Sequence, residues 1–144
     1  MAGADKLYTS QLLALAVELA DCPANPSLPL HGQARSKSCG STLAIDIGPD
    51  ESGGIRAFGL QVRACAVGQA AAAIFARSAV GRTPEAIETT LAALTEWLAG
   101  SADMPDWPGL EAIAPARAYP ARHGAIMLPW TAARDALSSP AAAR

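Results

Sequence analysis

From Thr42 the chain alternates: Leu43, Ile45 and Ile47 fall on one side, Thr42, Ala44 and Asp46 on the other. A period of two marks a half-buried strand, and the GPDESGG that follows supplies turn chemistry. The return run, 55–64, sets Phe58, Leu60, Val62 and Ala64 against Ala57, Gly59, Gln61 and Arg63. The two runs are expected to pair antiparallel and to share one apolar face.

On either side the period becomes helical. Upstream, Ser10 is a candidate N-cap for a helix carrying Leu12, Leu13, Ala16, Val17 and Ala20, ending near Ala20. Pro23, Pro26 and Pro29 then argue for an extended surface loop over 22–33. Downstream, CAVGQAAAAIFARSAV begins at Cys65 and predicts an alanine-rich helix closed by Gly81. Thr83 caps the next helix with Pro84 at its first position, and Ile87, Leu91, Leu94 and Leu98 form its buried stripe as far as Gly100. SADMPDWPG reads as a loop, LEAIAPARAYPARHGAI as irregular, and PWTAARDAL as a short last helix with Pro129 in its first turn. No segment repeats. This order predicts one α+β domain over 1–144, a small antiparallel sheet of about three strands with helices packed on one face.

Composition narrows the function classes. At 144 residues the chain has the length of one domain, able to bury roughly two thirds of its unfolded surface. It is 51% apolar with a net charge of -2, which excludes a disordered polyelectrolyte and gives no basic footprint for nucleic acid. Alanine dominates the apolar residues, so a core of closely packed small side chains is expected. No run reaches the ~18 apolar residues of a membrane span. QLLALAVELADC imitates a targeting signal but is interrupted by Glu18 and Asp21, and reads as an amphipathic helix. Three cysteines without a repeated spacing do not spell a secreted disulfide scaffold, and a cytoplasmic location is expected.

The candidate chemistry lies in two of those cysteines. Cys39 precedes the first predicted strand and Cys65 follows the second, so antiparallel pairing brings both to one end of the hairpin. Cys65 also takes the N-cap of the alanine-rich helix, where free N–H groups and the positive end of the helix dipole favour an anionic ligand atom. Buried cysteines are most often small hydrophobes, and that is the reading for Cys22. His31 falls in the proline-rich loop and is expected to be solvated, whereas His123, near the last helix, is a candidate ligand. No orienting acid and no oxyanion signature accompany the thiols, so an enzyme is not expected.

The stretch SCGSTLAIDIGPDESGGIRAFGLQVRACAVGQAAAAIFARSAVGRTPEAI resembles the core of the NifU/IscU/SufU-type iron-sulfur cluster assembly scaffolds. Their C-G-D motif is matched by Cys39-Gly40-Ser41, their G-C pair by Ala64-Cys65-Ala66, and their GKT/GKS turn by Gly81-Arg82-Thr83. Pro120 to Arg122 and Leu128 to Trp130 look like the segment around the family's third cysteine. Counting back from Leu128 and Trp130 places that cysteine at Ala125; aligning histidines places it at Gly124. The family aspartate is Ser41, and the L-P-P-V-K stretch of one branch is matched only by AYPAR.

The resemblance implies the SufE/NifU (IscU-like) fold and a scaffold that binds a metal or cluster, or accepts sulfur, through Cys39 and Cys65. The cofactor implied is a [2Fe-2S] cluster or zinc, or none. Four thiolates are the usual requirement of such a cluster, so two copies would have to supply Cys39 and Cys65 twice across a homodimer. Zinc would take Cys39, Cys65 and His123, with water in the fourth position. The partners implied are a cysteine desulfurase and iron-sulfur acceptor proteins, with no nucleic acid and no membrane. A metal-free adaptor of the same fold is the alternative.

Overall fold

The structure is a computed structural model, and it describes residues 9–138. Helix α1 (Ser10–Val17) runs into a 3-10 turn (Glu18–Asp21). Strands β1 (Leu30–Arg35), β2 (Thr42–Pro49) and β3 (Ile55–Arg63) follow, then helices α2 (Ala66–Ser78) and α3 (Pro84–Leu98). Two 3-10 segments (Leu110–Ala118 and Pro120–Arg122) lead into α4 (His123–Leu137). The strands form one antiparallel sheet in the order β1-β2-β3.

Cross-strand partners on the core face are Ala34, Leu43 and Val62, then Gly32, Ile45 and Leu60, then Leu30, Ile47 and Phe58. The alternation in 42–47 and 55–63 thus translates directly into one buried and one open face, as the α+β expectation required. Helix α4 lies across β1 and β2 on the buried face. Its approach is set by Gly32, where an added Cβ would come within 2.2 Å of the Ala132 carbonyl oxygen and 2.4 Å of the Ala136 nitrogen. Only a residue without a side chain lets the helix backbone lie that near the strand.

Helix α2 is the centre of the helical layer. Ala70, Ala71, Ala72 and Ala73 are all buried although they face four directions round the helix, because α1, α4 and the first long 3-10 segment pack around it. Phe75 stacks on Trp107 at 5.6 Å between centroids, and Trp130 meets both rings edge-on. The core therefore joins a small-residue helix to an aromatic cluster. In α3, Thr83 Oγ1 accepts the Ala86 N–H and Ile87, Leu91, Leu94 and Leu98 are buried, as their spacing predicts.

Four local expectations need correction. The cap of α1 is Thr9, whose Oγ1 accepts the Leu12 N–H, and Ser10 is the first helical residue. Its buried stripe is Leu12 and Leu15, while Leu13 and Val17 are exposed; α1 gives way to 3-10 geometry at Glu18, before Ala20. The loop expected over 22–33 ends at Leu30 and its last part is β1, an edge strand whose inward residues Gly32 and Ala34 are too small to register as a hydrophobic alternation. The final helix is long, starting at His123, and the segment before it is 3-10 in character. Pro129 stands inside α4, where its lack of an N–H costs an intrahelical hydrogen bond, and its burial in the core offsets part of that cost.

Candidate thiol site at one end of the sheet

The β1–β2 connection is a six-residue hairpin turn. Arg35 pairs with Thr42, the Ser36 N–H donates to the Ser41 carbonyl at 2.8 Å, and the Gly40 N–H donates to the Ser36 carbonyl at 2.9 Å. Gly40 has φ +72°, a left-handed conformation that closes the turn at little cost in glycine. Cys39 stands exposed on this turn. Because Thr42 also pairs with Arg63, β3 leaves the sheet at the same end, and Cys65 follows two residues later as the N-cap of α2. Cys65 is half-buried, with φ −64° and ψ 171°, and its side chain makes no capping hydrogen bond. Strand register thus delivers both thiols to one end. Cys22 lies elsewhere, packed against the core, with its carbonyl accepting the Leu60 N–H.

Around Cys39 the chain builds a shell of hydroxyls. Its Sγ is 3.3 Å from Ser36 Oγ and 3.1 Å from Ser41 Oγ, and both serines are buried. Ser38 Oγ bonds to Ser36 Oγ at 3.2 Å and donates to the Ala121 carbonyl at 2.9 Å, tying the turn to the segment before α4. The Ser36 hydroxyl, then the Ser41 hydroxyl, hold the Cys39 thiol below its ordinary pKa, with a smaller contribution from the Arg122 charge. The clue to this shell was the serine content of SKSCGS, but the contacts depend on how the turn closes.

The two positions for a third cysteine are both occupied by packing. A Cβ at Gly124 would meet Ser36 Oγ at 2.5 Å, so the buried serine fills that space. Ala125 is fully buried, and its Cβ lies 3.3 Å from where a side chain on Gly68 would begin. Ser41, in the aspartate's place, faces the Cys39 sulfur. His123 opens α4 with Nε2 2.7 Å from the Arg117 carbonyl oxygen, which leaves Nδ1 as its available nitrogen. Among the described residues no group of three or more His, Cys, Asp or Glu side chains is placed to hold a metal ion. Cys39, Cys65 and His123 are therefore not preassembled as a zinc triad. His31, expected in a solvated loop, is exposed but belongs to β1, with Nδ1 2.7 Å from Asp46 Oδ1.

Fold and site together define a class: an α+β protein with a three-stranded sheet, helices on one face, and two cysteines at the end of the sheet that carries the β1–β2 turn and the start of α2. No family model and no curated protein matches the chain. Among solved structures, the N-terminal region of a nitrogen-fixing NifU-like protein from Brucella abortus superposes with a TM-score of 0.85, at 26% identity over 94% of both chains. A protein named as an iron-sulfur cluster assembly scaffold for the SUF system, from Fervidobacterium islandicum AW-1, gives a TM-score of 0.80 at 16% identity, covering 92% of this chain and 98% of that one. The chain is thus similar in fold to NifU-like and SufU-type structures, and it carries Ser41 where the C-G-D motif has its aspartate and Gly124 and Ala125 where a third cysteine was sought. No helix among the described residues is long and apolar enough to cross a membrane.

Proposed function

We propose that the chain is a scaffold-like component of iron-sulfur cluster assembly, not itself an enzyme, that accepts sulfur on Cys39 with Cys65 beside it as the second thiol. The observation that carries this reading is the exposed Cys39 on a turn whose two buried serine hydroxyls lie within hydrogen-bond distance of its sulfur. The donor would be a cysteine desulfurase persulfide. Cys39 thiolate attacks the outer sulfur, a new S–S bond forms at Cys39, the donor's S–S bond breaks, and the donor leaves as a thiolate. No external oxidant or reductant is needed.

A cluster is cargo in this scheme. One chain brings two thiolates to a site that ordinarily takes four, so a cluster would be shared between two copies before passing to an acceptor protein. The missing third ligand favours a second reading, a metal-free adaptor of the same fold. Both are tested by incubating the reduced protein with a cysteine desulfurase and cysteine, then measuring its intact mass under non-reducing conditions. The expected result is a gain of one sulfur atom that Cys39→Ser abolishes and Cys65→Ser retains. An unchanged mass for the wild-type chain overturns the sulfur-accepting reading and favours the adaptor. Anaerobic reconstitution with iron and sulfide should give cluster absorption only in a dimeric fraction, lost in either variant.

A further inference from the structure

The open face of the sheet is divided in two. Its far half is covered by the chain's own extended segment: Gly59 lies under Pro23 and Asn25, where an added Cβ would meet backbone at 2.5 and 2.6 Å. The Asn25 N–H donates to Asp46 Oδ2 at 3.0 Å, and Leu28 reaches over Gly48. The near half, next to the thiols, is uncovered. There Thr42 and Ala44 of β2 form the floor of a groove of about 670 Å³, walled by Gln33 and Arg35 on β1 and by Gln61 and Arg63 on β3. Small residues on the central strand and long ones on both flanks produce that shape. With strands about 4.8 Å apart, the walls stand roughly 10 Å from each other, room for one extended chain.

Charge is distributed unevenly about this groove. The segments that build the thiol end, 35–42, 61–69 and 119–126, contain Arg35, Lys37, Arg63 and Arg122 and no Asp or Glu, in a chain whose net charge is -2. None of these four cations forms an ion pair among the described residues. The acids bordering the open face, Asp46 and Asp135, adjoin the groove beyond Ala44 and Gln33 and are already engaged, Asp46 by His31 and the Asn25 N–H and Asp135 by the Gln33 N–H.

We propose that this groove docks an extended acidic segment of a partner protein, its carboxylates held by Arg35 and Arg63 on either side of Thr42. The flanking Gln33 and Gln61 amides suit peptide N–H and C=O groups, and the two guanidiniums suit carboxylates. The molecule already seats an extended segment of its own on the adjoining half of the face, with a carboxylate holding a backbone N–H. Single-stranded nucleic acid is the poorer fit, because the groove offers no aromatic ring for a base to stack on. Its Arg35–Thr42 end adjoins the turn that carries Cys39; any bearing of docking on thiol chemistry rests on the proposed function, whereas the docking does not.

The test is fluorescence anisotropy on the full chain, at low ionic strength, with a synthetic peptide of alternating glutamate and valine carrying a neutral dye. Saturable binding is expected, weakened by added salt and weakened about tenfold in the Arg35→Gln/Arg63→Gln variant, the scale of two partly exposed ion pairs. Arg56→Gln, at the far end of β3, should change it less than twofold, and a lysine–valine peptide should not bind. The proposal is overturned by no binding, or by an equal loss in Arg56→Gln, which would make net charge the cause. It is overturned equally if free glutarate or phosphate displaces the peptide at the peptide's own concentration, or if a single-stranded oligonucleotide binds more tightly. Matching thermal unfolding of wild type and variants excludes misfolding as the cause. Because the assay involves no thiol chemistry, failure of the sulfur-accepting reading leaves its outcome unaffected.

Discussion

Gly32→Ala should destabilise the protein although local propensity favours it. In a strand interior, alanine in place of glycine gains about 0.5 to 1 kcal/mol from the reduced entropy of the unfolded chain. Against this stands the 2.2 Å approach of the new Cβ to the Ala132 carbonyl and 2.4 Å to the Ala136 nitrogen, both backbone atoms of α4 that no rotamer change can move. Restoring ordinary contact requires α4 to withdraw from β1 by about 1 Å, and a gap of that size forfeits a quarter to a half of each dispersion contact across it. Several buried residues of α4, among them Ile126, Leu128, Ala132 and Ala136, would share the loss. The expected net cost is about 2 to 4 kcal/mol, at or above the upper end of ordinary overpacking. Urea unfolding followed by tryptophan fluorescence measures it, with buried Trp130 of α4 as an internal reporter. A stabilisation of about 0.5 kcal/mol or more in the variant would show that propensity governs the position and that α4 does not lie on β1.

Leu94→Ala removes a fully buried side chain from the α3 stripe and should cost about 2 to 5 kcal/mol in the same assay; a loss under about 0.5 kcal/mol would place that face in solvent. Alkylation of Cys39 by iodoacetamide should reach half its maximal rate below the ordinary thiol pKa of about 8.5, and Ser36→Ala should move that midpoint upward. The same lowered pKa favours the folded state above the unfolded thiol's pKa, and that contribution is lost as pH falls through the folded value, a trend Cys39→Ser should remove. Gly124→Cys alone should destabilise the protein because its side chain meets Ser36 Oγ, whereas Ser36→Gly/Gly124→Cys should recover stability and bind zinc more tightly than wild type by competition with a chromogenic chelator.

What could be read from the chain, and what could not, follows from how locally each feature is determined. The β2 and β3 pairing was legible because Leu43, Ile45 and Ile47 alternate with polar or small residues, and α3 because Thr83-Pro84 and a leucine stripe repeat one message. Strand β1 was hidden because its inward positions are Gly32 and Ala34, whose smallness answers to a helix more than ninety residues away. The start of α4 was hidden by Pro129, which normally marks a first turn and here stands within a helix whose burial tolerates it. That Cys39 and Cys65 fall at one end of the sheet was legible from strand order alone. The serine shell was not, because Ser36, Cys39 and Ser41 meet only once the turn closes.

The changes at the site are coupled, and the coupling bears on what the thiols can do. Had a cysteine been lost by point substitution alone, a vacancy would be expected beside Cys39, lined by atoms able to receive a ligand again. Instead, Gly124 is covered by the Ser36 hydroxyl, Ala125 is sealed in the core beside Gly68, and Ser41 turns its oxygen toward the Cys39 sulfur. Two neutral hydroxyls have thus become the immediate neighbours of the exposed thiol. A carboxylate beside a sulfur would discourage the thiolate by like-charge repulsion, or would ligate a metal alongside it; a hydroxyl donor stabilises the thiolate in the absence of any metal. The surroundings of Cys39 therefore suit a nucleophile that works as a single sulfur more closely than one member of a rigid ligand set. In the proposed sulfur-accepting scheme Cys65, half-buried at the helix cap, is the second thiol and Cys39 the one that is loaded.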